Sequence, residues 1–461
     1  MLISTLVYFV AGAMAVELDI SSRDSIKSAA ATITYNMVSY YQGNLTGQVP
    51  GLLPGSLSCD PNNVEVYCWW EAGAMWGQLI NYWQYTNDST YNEITSQALQ
   101  FQRGPQNNFN PPNQTRSMGI DDQAFWGFSA LDAVEANFPE STADGDPSWL
   151  SLAQAVFNFQ SAFWDTAVCG GGFRWQVYSF NAGYNLKNSV SNGGNFLLAS
   201  RLAYITGNTS YSDWANMVWD WVEEGPLFQV QNKTLYIWDN TDANHNCTAV
   251  QHYIWSYNYG VFLMGAAYMY NYTNGSSVWD ERVNLILNST FTLFFPEEYG
   301  GNILFEVQCE ATQVCDQDQK SFKAYVSRWL AVTSVLVPST SARIMTKLQG
   351  SAVGAAAQCS GPNNACGLQW YNPTYEGTTG VGQDMSAASV IMANLILPSM
   401  APLTLRTGAT SQSDPTAGSS TGSELPSSVT DTITAGDKAG ASILTVFTSV
   451  VFIGGALWLI S

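Results

Sequence analysis

Apolar side chains recur at three- and four-residue spacing in twelve stretches of one unbroken run, from residue 24 to residue 397. Trp214, Val218, Trp221 and Val222 show the pattern, as do Trp279, Val283, Ile286 and Leu287. A stripe of this period marks an amphipathic helix. The spacing predicts helices at 24–41, 71–86, 90–101, 121–136, 147–164, 191–206, 211–224, 255–271, 277–294, 320–335, 341–356 and 383–397. Asp24, Ser191, Ser276 and Ser339 stand near helix starts, where N-caps belong. Twelve helices in one domain make six hairpins, and six hairpins close into an all-α toroid whose inner helices line a central cleft. An α-solenoid would need a repeating sequence period, and none is present. The glycine-rich segments 170–172, 193–194 and 300–301 read as rim connectors, and the β-like runs 173–178 and 235–238 as rim hairpins.

The two ends have a different composition. Residues 1–15 carry a short apolar run closed by Ala13-Met14-Ala15, the small-x-small pattern of a secretory signal peptide, without a basic n-region. Residues 407–440 hold 14 Ser/Thr in 34 positions and no aromatic, so a Ser/Thr-rich, O-glycosylated stalk is expected over 406–436. An apolar tail from Ile443 to Ser461 follows, with no charge after Lys438. That is the pattern of a GPI-attachment propeptide, 437–461, which is removed; a C-terminal membrane helix is the alternative. The domain between them is 16–405. Nine sequons (Asn44, Asn87, Asn113, Asn208, Asn232, Asn246, Asn271, Asn274 and Asn288) agree with export. In an oxidising compartment the eight cysteines read as disulfides. Eight cysteines allow 105 pairings; the expected set is Cys59–Cys68, Cys309–Cys315, Cys359–Cys366 and Cys169–Cys247. Zinc is disfavoured, because there is no CxxC pair and the histidines are His245 and His252 alone.

Charge is scarce and acidic. Lys+Arg number 16 and Asp+Glu 36, a net charge of −20, and charged residues are 11% of the chain against roughly 25% in an ordinary domain. Nucleic acid and anionic lipid select for basic patches and are excluded on this ground. A surface built from amides, hydroxyls and aromatics suits neutral, hydroxylated ligands such as sugars. Against that background Asp121 and Asp122 sit side by side at a helix start, within Met118-Gly119-Ile120-Asp121-Asp122-Gln123-Ala124-Phe125-Trp126. One reading is an N-cap with an extra acid, favoured by the helix dipole. The other is glycoside hydrolysis: retaining enzymes need two carboxyls about 5–5.5 Å apart, a gap that neighbouring residues span more readily than the inverting one. Two such acids titrate as a pair, so one can keep its proton near neutral pH.

The chain resembles glycoside hydrolase family 76, the endo-α-1,6-mannanases, and within it the GPI-anchored fungal branch required for cell-wall assembly. The resemblance rests on IDDQAFW at 120–126, GGFRWQ at 171–176, KNSVSNG at 187–193, WSYNYG at 255–260, FKAYVSRWL at 322–330 and GQDMSAA at 382–388. It implies an (α/α)6 barrel and a retaining mechanism, with Asp121 as nucleophile, Asp122 as general acid/base, and neither metal nor cofactor. Tyr259 departs from the commoner YNQG wording and bears on a subsite. Trp69, Trp70, Trp126, Trp175 and Trp255 are candidates to stack on sugar, though aromatics at helical spacing are more often core. Arg174 and Asn192 are candidate substrate contacts in the rim, and Asp384 a sugar contact or a cap. Lys320 to Arg328 read as a solvated, paired face, and His245 and His252 as structural. Three functions stand open: a glycosidase acting on mannan or GPI-glycan mannose, a transglycosylase using a β-glucan acceptor, and a non-catalytic mannan-binding wall protein. The expected setting is a monomer held by its GPI anchor at the outer face of the plasma membrane or in the cell wall.

Overall fold

Six helices whose surfaces are buried nearly all round form a closed inner ring, and six one-sided helices surround them. The computed structural model describes residues 15–60, 63 and 65–419. Its helices are α1 (Arg23–Ser39), α2 (Trp69–Thr86), α3 (Asn92–Gln102), α4 (Ile120–Ala136), α5 (Trp149–Ser161), α6 (Ser189–Thr206), α7 (Thr209–Glu224), α8 (Ser256–Tyr272), α9 (Ser277–Phe294), α10 (Phe322–Leu336), α11 (Ser341–Gln358) and α12 (Val381–Ala393). The even-numbered helices pack each on the next, and α12 returns to α2. All of α12 is buried; a helix apolar all round belongs in a core. The odd-numbered helices lie outside: α1 on α12, α3 on α2, α5 on α4, α7 on α6, α9 on α8, α11 on α10 and α12. α7 shows the outer pattern, burying Tyr211, Ala215, Val218, Trp219 and Val222. This is the (α/α)6 barrel.

Ser276 is the N-cap residue of α9, as expected, but other caps differ from the expected set. Ser22 caps α1 and Asn188 caps α6, each accepting a bond from the third residue on; a short side chain must precede the helix to reach that N–H. The 235–238 run forms part of a hairpin, β2 (Phe228–Gln231) with β3 (Thr234–Ile237). The 173–178 run does not form one. It makes only the isolated bridges Trp164–Phe173 and Gly119–Gln176, because its backbone groups are taken by the segment entering α4 and by Leu186. A three-stranded rim sheet, in the order β1 (Leu186–Asn188), β4 (Asn240–Asp242) and β5 (Val250–Gln251), completes that side. All four expected disulfides are formed.

Two further expectations are corrected. The 320–328 segment is not a solvated face. Arg328 is buried and binds Asp132 and the Asn81 side chain. Lys323 is buried against Glu310 at 3.1 Å. Arg201 completes the interior network by bridging Asp132 and Glu135 at 2.6 and 2.8 Å. The stalk, for its part, does not begin at 406. Leu403 and Leu405 donate N–H bonds to Glu135 and Ile205 at the ends of α4 and α6. Ser411 then accepts from Leu150 N–H, Gln154 ties Ser413 and Asp414, and Asn158 holds the carbonyls of Pro415 and Ala417. Ser/Thr-rich composition suggests an unpacked chain, but small residues here lie along α5 with their polar groups satisfied. Residues 1–14 and 420–461, on which the signal, the rest of the stalk and the attachment tail were read, lie outside the described residues.

Candidate active site

Asp121 and Asp122 occupy the first turn of α4, where the free N–H groups and the dipole of the helix favour negative charge. Gly119 precedes them in an extended conformation, and its N–H donates to Asp122 Oδ2 at 2.7 Å. Asp122 N–H donates to Asp121 Oδ1 at 3.0 Å. The Asn188 amide donates to Asp121 Oδ2 at 3.1 Å, while its own oxygen accepts from Ser191 N–H at 3.2 Å. That cap fixes which end of the amide faces the carboxylate. The Trp175 indole lines the same cavity and favours the charged form of Asp121. Its backbone is fixed on both sides, accepting from Ile120 N–H at 2.8 Å and donating to Leu186 at 2.7 Å. Space matters as much as bonding: a Cβ on Gly119 would lie 2.2 Å from Asp121 Oδ1 and 3.0 Å from Asp122 Oδ2. Gly183 (φ +86°) similarly leaves room for the Trp175 ring.

These side chains open on a cavity of about 170 Å³ at the N-terminal ends of the inner helices. Trp70 from α2, Phe125 from α4, Tyr257 from α8 and Phe322 from α10 supply aromatic walls, and Asp239, Asn240 and Asp318 supply polar ones. Trp70 Nε1 donates to Asp318 Oδ1 at 3.1 Å. A larger groove of about 580 Å³ lies between α3 and the segment after α4, but its Arg103 and Asp146 neutralise each other.

The cavity holds four carboxyls and no cationic side chain in its lining. Burial raises Asp121 to about 6, opposed by the Asn188 amide and the Asp122 N–H. Asp122 is pushed well above the ordinary carboxyl range, first by burial and then by the charge of Asp121. The two carboxyls are therefore unequal, and Asp122 holds its proton to higher pH than Asp121 does. Burial also lifts Asp318, to about 7, and Asp239.

Of the residues expected to touch substrate, Trp70 and Trp175 line the cavity. Four do not. Trp126 is fully buried, stacked on Trp69 at 4.9 Å with its indole on the Trp69 carbonyl. Asn192 is also fully buried and braces the rim, accepting from Phe173 N–H and donating to the Asn188 carbonyl. Arg174 is held away by Asp165 and Asn185, both at 2.9 Å. Asp384 is buried and accepts from Cys366 N–H at 3.2 Å. Tyr259 holds strand β3, donating to the Leu235 carbonyl and accepting from Ile237 N–H. The sequence reading passed over Asn188, Asp239, Tyr257, Asp318 and Phe322. Asn188, Tyr257 and Phe322 lie inside motifs it quoted; Asp239 carries no local signal.

The model of glycosyl hydrolase family 76 matches residues 25–406. The chain belongs to this family. It is a glycoside hydrolase. The family 76 chain is 41% identical over 449 residues to the mannan endo-1,6-alpha-mannosidase DCW1 of Saccharomyces cerevisiae, covering 97% of this chain and 95% of that one. It superimposes on the crystal structure of Dfg5 from Chaetomium thermophilum in complex with glucosamine with a TM-score of 0.80 and 38% identity, covering 87% and 97%. An inactive variant of the alpha-1,6-mannanase GH76A of Salegentibacter, with two neighbouring aspartates replaced and in complex with alpha-1,6-mannotetrose, has the same fold. There the TM-score is 0.63 and the identity 19%, with 80% and 98% covered.

Proposed function

We propose that this hydrolase cleaves α-1,6-linked mannose by a double displacement centred on Asp121 and Asp122. The observation that carries the reading is two adjacent carboxyls in unlike hydrogen-bonding surroundings at one aromatic-walled cavity. In the first step Asp121 bonds to the anomeric carbon as the glycosidic bond breaks, and the Asp122 proton passes to the departing oxygen. In the second, Asp122 takes a proton from the incoming hydroxyl, whose oxygen displaces Asp121. Names of relatives support the substrate: a 41% identical protein is called a mannan endo-1,6-alpha-mannosidase.

The incoming hydroxyl belongs to water in a hydrolase and to a glycan in a transglycosylase. Five aromatic walls give an acceptor sugar faces to stack on, so transfer of GPI-linked mannoproteins to wall β-glucan is the second reading. The proposed setting is the outer face of the plasma membrane or the cell wall, reached by secretion and GPI attachment. Incubating the full-length protein with α-1,6-mannohexaose, with and without β-glucan oligosaccharide, tests both by product mass. Shorter mannosides support hydrolysis, and mannosylated glucan supports transfer. Tight binding without turnover would return the chain to a mannan-binding role.

A further inference from the structure

Burial alternates from the segment after β5 into the first turn of α8. Ile254 and Ser256 are buried, whereas Tyr253, Trp255 and Tyr257 are not. Trp255 is extended, with φ −124° and ψ 136°, and alternate side chains of an extended chain share a face. Three rings therefore stand in a row at the rim.

Tyr257 stacks on Phe322 with centroids 3.9 Å apart and 5° between planes, and both line the cavity. Trp255 meets Phe322 edge-on at 5.7 Å. Tyr253 comes next, 6.3 Å from Trp255 and tilted by 30°. It is 53% exposed. Single exposed aromatics are ordinary; this one ends an unbroken path of ring contacts that starts inside the cavity. Its carbonyl accepts from Asp239 N–H at 3.0 Å, so the outer ring is anchored to a residue of the cavity wall. The cavity's volume of about 170 Å³ is small beside the roughly 300–1,000 Å³ of common ligand pockets. A glycan of several units must continue outside it.

We propose that Tyr253 and Trp255 form an outer subsite that receives successive rings of a neutral oligosaccharide as it leaves the cavity. The inference rests on the α-mannoside reading of that cavity and assigns the side on which the chain extends. The test is calorimetric titration of the full-length Asp121→Asn protein with α-1,6-mannobiose and α-1,6-mannohexaose, with and without Tyr253→Ala. The expected result is about a tenfold loss for the hexaose, a stacking contribution converted to affinity, with the biose unchanged and Tyr253→Phe as good as tyrosine. Equal weakening of both sugars, or of neither, would overturn the subsite while leaving the mannoside reading intact. Binding of neither sugar with Tyr253 in place would overturn both.

Discussion

The Asn188 amide nitrogen lies 3.1 Å from Asp121 Oδ2, on the side where the carboxylate needs its charge stabilised. A hydrogen bond to the ionised form holds a pKa down, and Asn188 is the largest influence opposing burial at Asp121. Activity should rise with pH through about 6 as Asp121 ionises, and fall at higher pH as Asp122 loses its proton. Asn188→Ala removes a charge-assisted bond worth about 1.5–3 kcal/mol. The acidic limb of the kcat/KM profile should then move up by one to two pH units. An unmoved limb would separate Asn188 from the carboxylate's titration.

Gly119 tests the crowding around the pair. Its φ of −91° suits any residue, so Gly119→Ala brings no backbone strain. The added methyl meets Asp121 Oδ1 instead. We expect at least a hundredfold loss of kcat/KM, because misplacement of a reacting group by about 1 Å costs that much. Thermal denaturation should stay close to that of the unaltered protein.

Stability should also depend on pH with a defined sign. Burial raises Asp384 to about 8, Glu306 to about 8 and Glu310 to about 7. A carboxyl whose folded pKa exceeds its unfolded value binds more protons when folded, so stability falls as pH rises between the two values. The melting temperature should therefore decline from about pH 4.5 to 8. Asp384→Asn keeps an acceptor for Cys366 N–H and should flatten that decline. A slope unchanged in the variant would contradict the assignment.

Helices and chemistry were legible in the sequence to different degrees. All twelve helices follow from apolar spacing because barrel burial repeats with the helical period. The first turn of α4 is legible too, since two adjacent acids stand out in a chain with few charges. Individual contacts are not. Arg174 and Trp175 are neighbours in an extended segment, so one faces the cavity and the other faces Asp165. Trp126 sits four residues beyond Asp122, one turn deeper, where the helix meets Trp69 rather than substrate. Asp239 and Asp318 reach the site from loops more than a hundred residues downstream, brought there by closure of the ring. Local pattern carries no record of that closure.

The central claim is a covalent bond between the sugar and Asp121. It is tested most directly by treating the protein with a fluorinated α-mannosyl fluoride, which slows the second step, and mapping the adduct by peptide mass spectrometry. The account predicts one mannosyl adduct on the peptide containing Asp121, absent from Asp121→Asn. An adduct on any other residue, or cleavage with no covalent species and an inverted product anomer, would contradict it.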